Sequence, residues 1–283
     1  MEPIHIAYFG SPGSYTWEAA KKWFAGKNTR ETGCALFEEV VELAAKERVD
    51  YGVLPIENTS TGSITEVYDL IKNYHAAIVG ETCIKIEHHL LGLPGASLAE
   101  IRTVYSHPQA FAQCRNFFKD KETMRQIPHF NTSRSAKKVK EAQDRTQAAV
   151  GSRPAAELYG LEILADNIHT NDWNYTRFFV IAGTCEPEPD ADKISLMLTL
   201  SHTSGSLYGA LQHLAEEGLN LTHLESRPME GRPFEYVFHI DVMGNLGEKK
   251  VQAALQKLKA QSLDVRILGN YRAYKGEFAC GLD

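Results

Sequence analysis

Two short segments of this sequence gather residue types that can carry a reaction. Asn174-Tyr175-Thr176-Arg177-Phe178-Phe179-Val180-Ile181 sets a hydroxyl, a guanidinium and an aromatic ring side by side at the entry to an apolar run. A guanidinium grips a carboxylate through parallel N–H bonds, and a hydroxyl can donate to an oxygen. Pro55-Ile56-Glu57-Asn58-Thr59-Ser60-Thr61-Gly62 sets a carboxylate, then amide and hydroxyl groups, at the end of a second apolar run. In open α/β sheets small ligands sit in the crevice at the carboxyl ends of strands, so Glu57 is expected to face such a crevice. A third signal is diffuse: five strand-to-helix junctions are rich in Gly, Ser, Thr or Asn. A helix N-terminus offers free N–H groups and about half a positive charge. Several of them around one cleft would hold a small polyanion with few Lys or Arg, although the same residue types also serve simply as helix caps.

Other chemistries lack their signatures. His88-His89 and His107 have no partners at metal-ligand spacing, so no metal site is expected. Gly10-Ser11-Pro12-Gly13 is neither a dinucleotide fingerprint nor a Walker loop, and no GxSxG elbow occurs. Cys34, Cys83, Cys114, Cys185 and Cys280 are scattered and form no CxxC pair. That usage fits a reducing cytosol rather than a disulfide framework or a cysteine zinc site.

The elements that must hold these segments follow from pattern. At 283 residues, 43% hydrophobic and 23% charged, the chain reads as folded, with roughly two domains. Thirty Lys+Arg against 36 Asp+Glu, a net charge of −6, argue against a nucleic-acid binder. No apolar run is long enough to span a membrane, and no secretory signal is evident at the start. Residues 185–192, acidic with two prolines, read as a linker. Beyond it, residues 193–283 carry ten basic and ten acidic side chains, so the first part holds the whole net charge. An anion bound there needs local groups rather than a positive field. Before the linker, strand and helix patterns alternate as in an α/β fold, and Ser63 with Glu66 has capping-box spacing. After it, the order of patterns is βαββαβ, a ferredoxin-like arrangement.

Taken together these motifs resemble prephenate dehydratase with a C-terminal ACT regulatory domain. The resemblance spans essentially the whole chain. It rests on Gly10-Ser11-Pro12-Gly13-Ser14-Tyr15, Leu54-Pro55-Ile56-Glu57-Asn58-Thr59, Ser106-His107-Pro108-Gln109-Ala110-Phe111-Ala112-Gln113-Cys114 and Asn174-Tyr175-Thr176-Arg177-Phe178. In the second part it rests on Gly209-Ala210-Leu211 and Glu225-Ser226-Arg227-Pro228. Ser14 stands where the family commonly has Thr. The resemblance implies a two-lobed catalytic domain over residues 1–185, similar to a periplasmic-binding-protein fold. Lobe 1 would cover about 1–79 and 166–185, and lobe 2 about 80–165. Residues 193–283 would form the ACT domain.

The implied reaction is the decarboxylating dehydration of prephenate to phenylpyruvate in phenylalanine biosynthesis. Aromatisation drives it, and no cofactor is implied. Hydroxide leaves poorly without a proton or a strong hydrogen bond. By resemblance Thr176 is the essential residue, with Glu57 the alternative donor if burial raises its pKa. Ser106 and Gln113 match positions linked to activity. Asn58, Ser60 and Thr61 would line the cleft, Arg177 would hold the pyruvyl carboxylate, and Phe178 would shape the pocket. Gly209, Ala210, Leu211, Glu225, Ser226, Arg227 and Pro228 would bind L-phenylalanine as a feedback effector at the seam of a homodimer or homotetramer. A cytoplasmic enzyme is expected, with no nucleic-acid or membrane partner. Two alternatives stay open: arogenate as substrate, giving phenylalanine directly, or a non-enzymatic solute-binding or sensing module.

Overall fold

The computed structural model describes residues 2–186, 188–229 and 231–276, so Pro187 of the linker and Cys280 lie outside the described residues. Three sheets organise the chain. The first half supplies β1 (Ile4–Phe9), α1 (Tyr15–Trp23), β2 (Thr29–Cys34), α2 (Phe37–Ala45), β3 (Tyr51–Asn58), β4 (Gly62–Ser63), α3 (Thr65–Tyr74) and β5 (Ala77–Lys85). A second group follows: β6 (His89–Gly92), β7 (Thr103–Ser106), α4 (Pro108–Gln113), α5 (Arg115–Phe118), β8 (Arg125–Pro128), α6 (Thr132–Ala142), β9 (Gln147–Gly151), α7 (Arg153–Tyr159) and β10 (Glu162–Ala165). The chain then returns through β11 (Tyr175–Ala182), which inserts antiparallel between β3 and β5 of the first sheet. The result is two lobes, one on the sheet β2-β1-β3-β11-β5 and one on β10-β6-β9-β7-β8.

The crossing between lobes falls at 86–88, after β5 has completed the first sheet, rather than near residue 80. The polar stretch Gly80-Glu81-Thr82 hides this strand in the sequence. Glu81 is nevertheless buried there, because it has cationic partners. Ser63 pairs with Glu57 in a short β-ladder instead of capping α3, which starts at Thr65 with no side-chain cap.

Helix starts on the inner side of the lobes are well specified. Ser14, His107, Asn131 and Ser152 each accept a backbone N–H in the first turn of α1, α4, α6 and α7 respectively. Gly10 and Gly13 bracket the turn before α1 with φ of 104° and 81°, a region that disfavours a side chain. That turn reaches the other lobe: Ser133 Oγ and Tyr159 OH both donate to the Pro12 carbonyl.

The third group is β12 (Lys193–Thr199), α8 (Ser206–Glu216), β13 (Leu221–Met229), β14 (Arg232–Met243), α9 (Lys249–Gln261) and β15 (Asp264–Tyr271). It forms an antiparallel sheet, β13-β14-β12-β15, in βαββαβ order. Leu196, Leu198, Ile240, Leu214 and Leu258 build its own core under the two helices. Its other face contributes Met197, Val237, Leu268 and Tyr271 to the core of the first lobe, among Leu54, Tyr68 and Phe179. β15 lies so close to β5 that a Cβ at Gly269 would collide with the Ile78 carbonyl. The linker is pinned as well. Asn245 Nδ2 donates to the carbonyls of Pro189 and Ala191, and Arg272 pairs with Asp190. No helix among the described residues is long and apolar enough to cross a membrane.

Candidate active site

The register of β3 and β11 builds the site. Thr176 sits opposite Asn58, and Arg177 opposite Glu57. Neighbours along a strand point to opposite faces, so the two pairs face different ways. Asn58 and Thr176 line a cleft between the lobes, whereas Glu57 and Arg177 turn to the C-terminal domain.

Asn58 has a determined orientation. Its Oδ1 accepts the backbone N–H groups of Ser60 (2.9 Å) and Thr61 (3.2 Å), which can only donate. Its Nδ2 therefore faces the other way and donates to Asn174 Oδ1 (2.8 Å) and Thr176 Oγ1 (2.9 Å). The Thr176 oxygen is thus used as an acceptor, and its own hydrogen is not committed to Asn58. Thr176 is 8% exposed, enough to touch a ligand and little enough to exclude bulk water.

The cleft measures about 540 Å³. One wall is apolar: Phe9, Phe37, Pro55, Ile64, Ile86 and Phe178. The other carries the first residues of α1 and α6 together with His107, Gln109 and Gln113. Among the described lining residues there is no Lys, Arg, Asp or Glu. Gln109 Nε2 reaches Thr61 Oγ1 across the gap at 3.5 Å. His88, absent from the expected site, also lines it, with Nε2 at 2.8 Å from Gln113 Oε1 and Nδ1 at 2.9 Å from Tyr15 OH. Burial pushes the His88 pKa down to about 4, so the ring is neutral at pH 7. The sequence offers no distinct signal for His88, because the strand that precedes it, β5, is broken up by Gly80-Glu81-Thr82.

Of the expected site residues, the structure brings Thr176, Asn58, Thr61, Gln113 and Phe178 to this cleft. It does not bring four others. Ser106 is fully buried and donates to the Val150 carbonyl at 3.0 Å. Ser60 donates to Asn174 outside the cleft lining. Glu57 and Arg177 bind each other, with Arg177 Nη2 at 2.9 Å from Glu57 Oε2. Arg177 Nη1 also reaches Glu81 Oε2 (3.0 Å) and Asp241 Oδ2 (2.7 Å). Arg177 is therefore no cleft ligand: its guanidinium is consumed by three carboxylates on the far face. Burial opposes the charge of Asp241, but Arg177 and Lys193 overcome it and hold its carboxyl below the ordinary range.

In the C-terminal domain, Gly209, Ala210 and Leu211 lie on α8, while Glu225, Ser226, Arg227 and Pro228 lie on β13, an edge strand. None of them lines the hollow found beside α8. The hollow beside α8, about 320 Å³, is lined instead by Leu200–Ser204, Ser206, Leu207, Tyr236 and Phe238. Among the described residues no three His, Cys, Asp or Glu side chains gather as a metal site would require.

Comparison with known proteins adds to this geometry. A family model described as prephenate dehydratase matches residues 6–186. The bifunctional chorismate mutase/prephenate dehydratases of Enterobacter agglomerans and Escherichia coli (strain K12) are each 37% identical, over 94% of this chain and 70% of theirs. The prephenate dehydratase of Arthrobacter aurescens in complex with L-Phe is 28% identical with a TM-score of 0.86, covering 95% of this chain and 90% of that one. A structure described as GqqA, a novel type of quorum quenching acylase, is 33% identical with a TM-score of 0.87, covering 96% and 98%.

Proposed function

The chain belongs to the prephenate dehydratase family, and from that premise we propose that Thr176, aimed by Asn58, is the donor to the leaving hydroxyl. The enzyme is a lyase that converts prephenate to phenylpyruvate, carbon dioxide and water in phenylalanine biosynthesis. In this reaction the bond to the ring carboxylate breaks, its electrons enter the ring, and the C–O bond at the opposite carbon breaks as hydroxide departs. The Thr176 O–H hydrogen-bonds that oxygen as its charge develops, inside a cleft that limits water, and the released hydroxide takes a proton from solvent to give the water product. The orientation of the Asn58 amide is the observation that carries this reading.

The rest of the cleft suits the same step. A dianionic substrate meets no fixed cation here. The N-termini of α1 and α6 would take the pyruvyl carboxylate, leaving the ring carboxylate against Phe9, Phe37, Ile64 and Phe178. An ion held in an apolar wall is poorly solvated, which favours its loss as neutral carbon dioxide. That no carboxylate stands among the described lining residues favours prephenate over arogenate, whose ammonium group would want one. Gln113, fixed by His88, presents its remaining amide group to the substrate. Thr176→Ala should lose at least about a hundredfold in turnover, the usual scale for one aimed donor, with folding intact; near-normal turnover would exclude Thr176. Incubation with prephenate and with arogenate, with products identified, tests the substrate. An acyl-amide substrate belongs in the same assay because of the acylase-like neighbour. A serine-type hydrolase needs its nucleophile on a base, and no lining Ser or Thr hydroxyl bonds a histidine among the described residues.

The C-terminal domain is read as an ACT module that binds L-phenylalanine and lowers activity. Its βαββαβ order and the phenylalanine complex of the Arthrobacter aurescens enzyme support this. Among the described residues the outer edge of β13 has no partner strand. A second copy docked there would bring its α8 against Glu225–Pro228 and close an effector site, giving a dimer or a dimer of dimers in the cytoplasm. Phenylalanine titration with no change in activity, assembly or melting would refute this reading.

A further inference from the structure

We infer that Arg177 is a positioning residue that ties the strands holding Thr176 to Asp241 of the C-terminal domain, and that effector binding changes turnover through this tie. The second half of the inference rests on the phenylalanine reading above; the first half does not.

Register makes the tie specific. Arg177 and Glu57 are the immediate neighbours of Thr176 and Asn58 on the same two strands, and they pair with each other as Thr176 pairs with Asn58. A shift of Arg177 along its strand therefore moves Thr176 with it. The far end of the tie lies across the domain boundary. Asp241 on β14 accepts from Arg177 with one oxygen and from Ser195 Oγ at 2.6 Å with the other, and Ser195 is bonded in turn to Tyr271. Lys193 Nζ lies 2.9 Å from both oxygens of Glu81, which Arg177 also contacts. Two cations thus stand among three carboxylates. Asp241 and Glu81 have side chains only 2% and 3% exposed, so drawing the domains apart would strand charges away from water. Such a contact does not stretch gradually; it holds or it is exchanged for another arrangement.

The same interface carries signs of a second arrangement. His239 is buried against Tyr68, yet neither of its ring nitrogens has a hydrogen-bond partner among the described residues. An unpaired buried polar group is costly, and a repacked interface that satisfied it would recover that cost. Arg227, one of the expected effector residues, is committed to Asp69 of α3 at 2.6 Å. An amino-acid carboxylate bound near Glu225–Pro228 would compete with Asp69 for that guanidinium. Effector binding and domain docking therefore draw on one side chain.

The test uses the full-length protein and the variant Asp241→Asn, which keeps an oxygen for Ser195 and removes the charge facing Arg177. Phenylalanine binding, measured by calorimetry, should stay within about threefold, and basal kcat likewise. Inhibition at saturating phenylalanine should fall by about tenfold or more. Undiminished inhibition in a variant that binds phenylalanine would overturn the coupling. If Asp241→Asn does not fold, Ser195→Ala, which removes the hydrogen bond that aims Asp241 at Arg177, is read in the same way. A wild-type enzyme indifferent to phenylalanine would sink the regulatory reading alone. The positioning role is then decided by Arg177→Gln and Arg177→Lys. A drop in kcat of about tenfold with KM nearly unchanged, partly rescued by lysine, supports it. A rise in KM with kcat unchanged means that Arg177 binds substrate, and overturns it.

Discussion

Replacing Asn58 by aspartate keeps the shape of the side chain and inverts one end of it. One oxygen still accepts the amide hydrogens of Ser60 and Thr61, so the loop after β3 stays anchored. The other oxygen now stands 2.9 Å from Thr176 Oγ1, where an N–H stood before. Thr176 must then donate its hydrogen to this carboxylate, and the departing hydroxide loses it. Removing one preorganised donor from a developing oxyanion costs about 2.7–4 kcal/mol. At about 1.4 kcal/mol per decade, kcat falls by roughly 10² to 10³. Asn58→Ala leaves the hydrogen free but unaimed, and should cost only about tenfold. The expected order of turnover is therefore Asn, then Ala, then Asp, although aspartate is the closer mimic in shape. Phenylpyruvate formation at saturating prephenate is the assay. There kcat is read apart from KM, because a new carboxylate also repels an anionic substrate. Circular dichroism and melting curves check that the fold survives. An Asn58→Asp enzyme that turns over as fast as Asn58→Ala would refute the claim that Asn58 acts by leaving the Thr176 hydrogen free.

Three further outcomes are expected. Burial raises the Glu18 pKa to about 7 from its ordinary 4.5. The folded state therefore keeps a proton that the unfolded chain releases, and stability falls as pH rises across that window, by on the order of 3 kcal/mol. Glu18→Gln should flatten this decline in melts between pH 5 and 8; an unchanged slope would show that Glu18 does not cause it. Tyr159→Phe removes one of the two donors to Pro12 that join the lobes. Weakening closure by about 1 kcal/mol should raise KM for prephenate about threefold to fivefold and leave kcat nearly alone, and a KM within error of wild type would count against the contact. Gly269→Ala drives a methyl group into the Ile78 carbonyl and should lower the denaturant midpoint by the equivalent of about 1–3 kcal/mol; an unaltered midpoint would mean that β15 and β5 are not held that tightly.

Much of this architecture was legible because it depends on local pattern. Apolar runs alternating with helical spacing reveal the strands, and Ser14, Asn131 and Ser152 mark helix starts by the chemistry of their side chains. Thr176 and Asn58 were legible for the same reason, being polar residues at the ends of apolar strands. The directions of Glu57 and Arg177 were not, although strand periodicity already sends adjacent residues to opposite faces. A carboxylate and a guanidinium beside cleft residues look like substrate ligands until the domain that claims them is seen. Asp241 and Glu81, which accept from Arg177, are 64 and 96 residues from it, and no spacing rule connects them. Ser106 was expected from the family resemblance alone, and its hydroxyl instead satisfies the Val150 carbonyl within the second sheet. The uncharged cleft was not legible: the acidic balance of the first part called for local groups to hold an anion, and Arg177, expected to be one of them, faces the other way.

The C-terminal sheet also governs how the chain would respond to a protease. Residues 185–192 read as a linker, but Met197, Val237, Leu268 and Tyr271 beyond it share a core with Tyr68 and Phe179 before it. A nick there would leave two fragments that co-migrate under native conditions and part only in denaturant. Expressed separately, each would present an oily surface to water and aggregate unless supplied with its missing half.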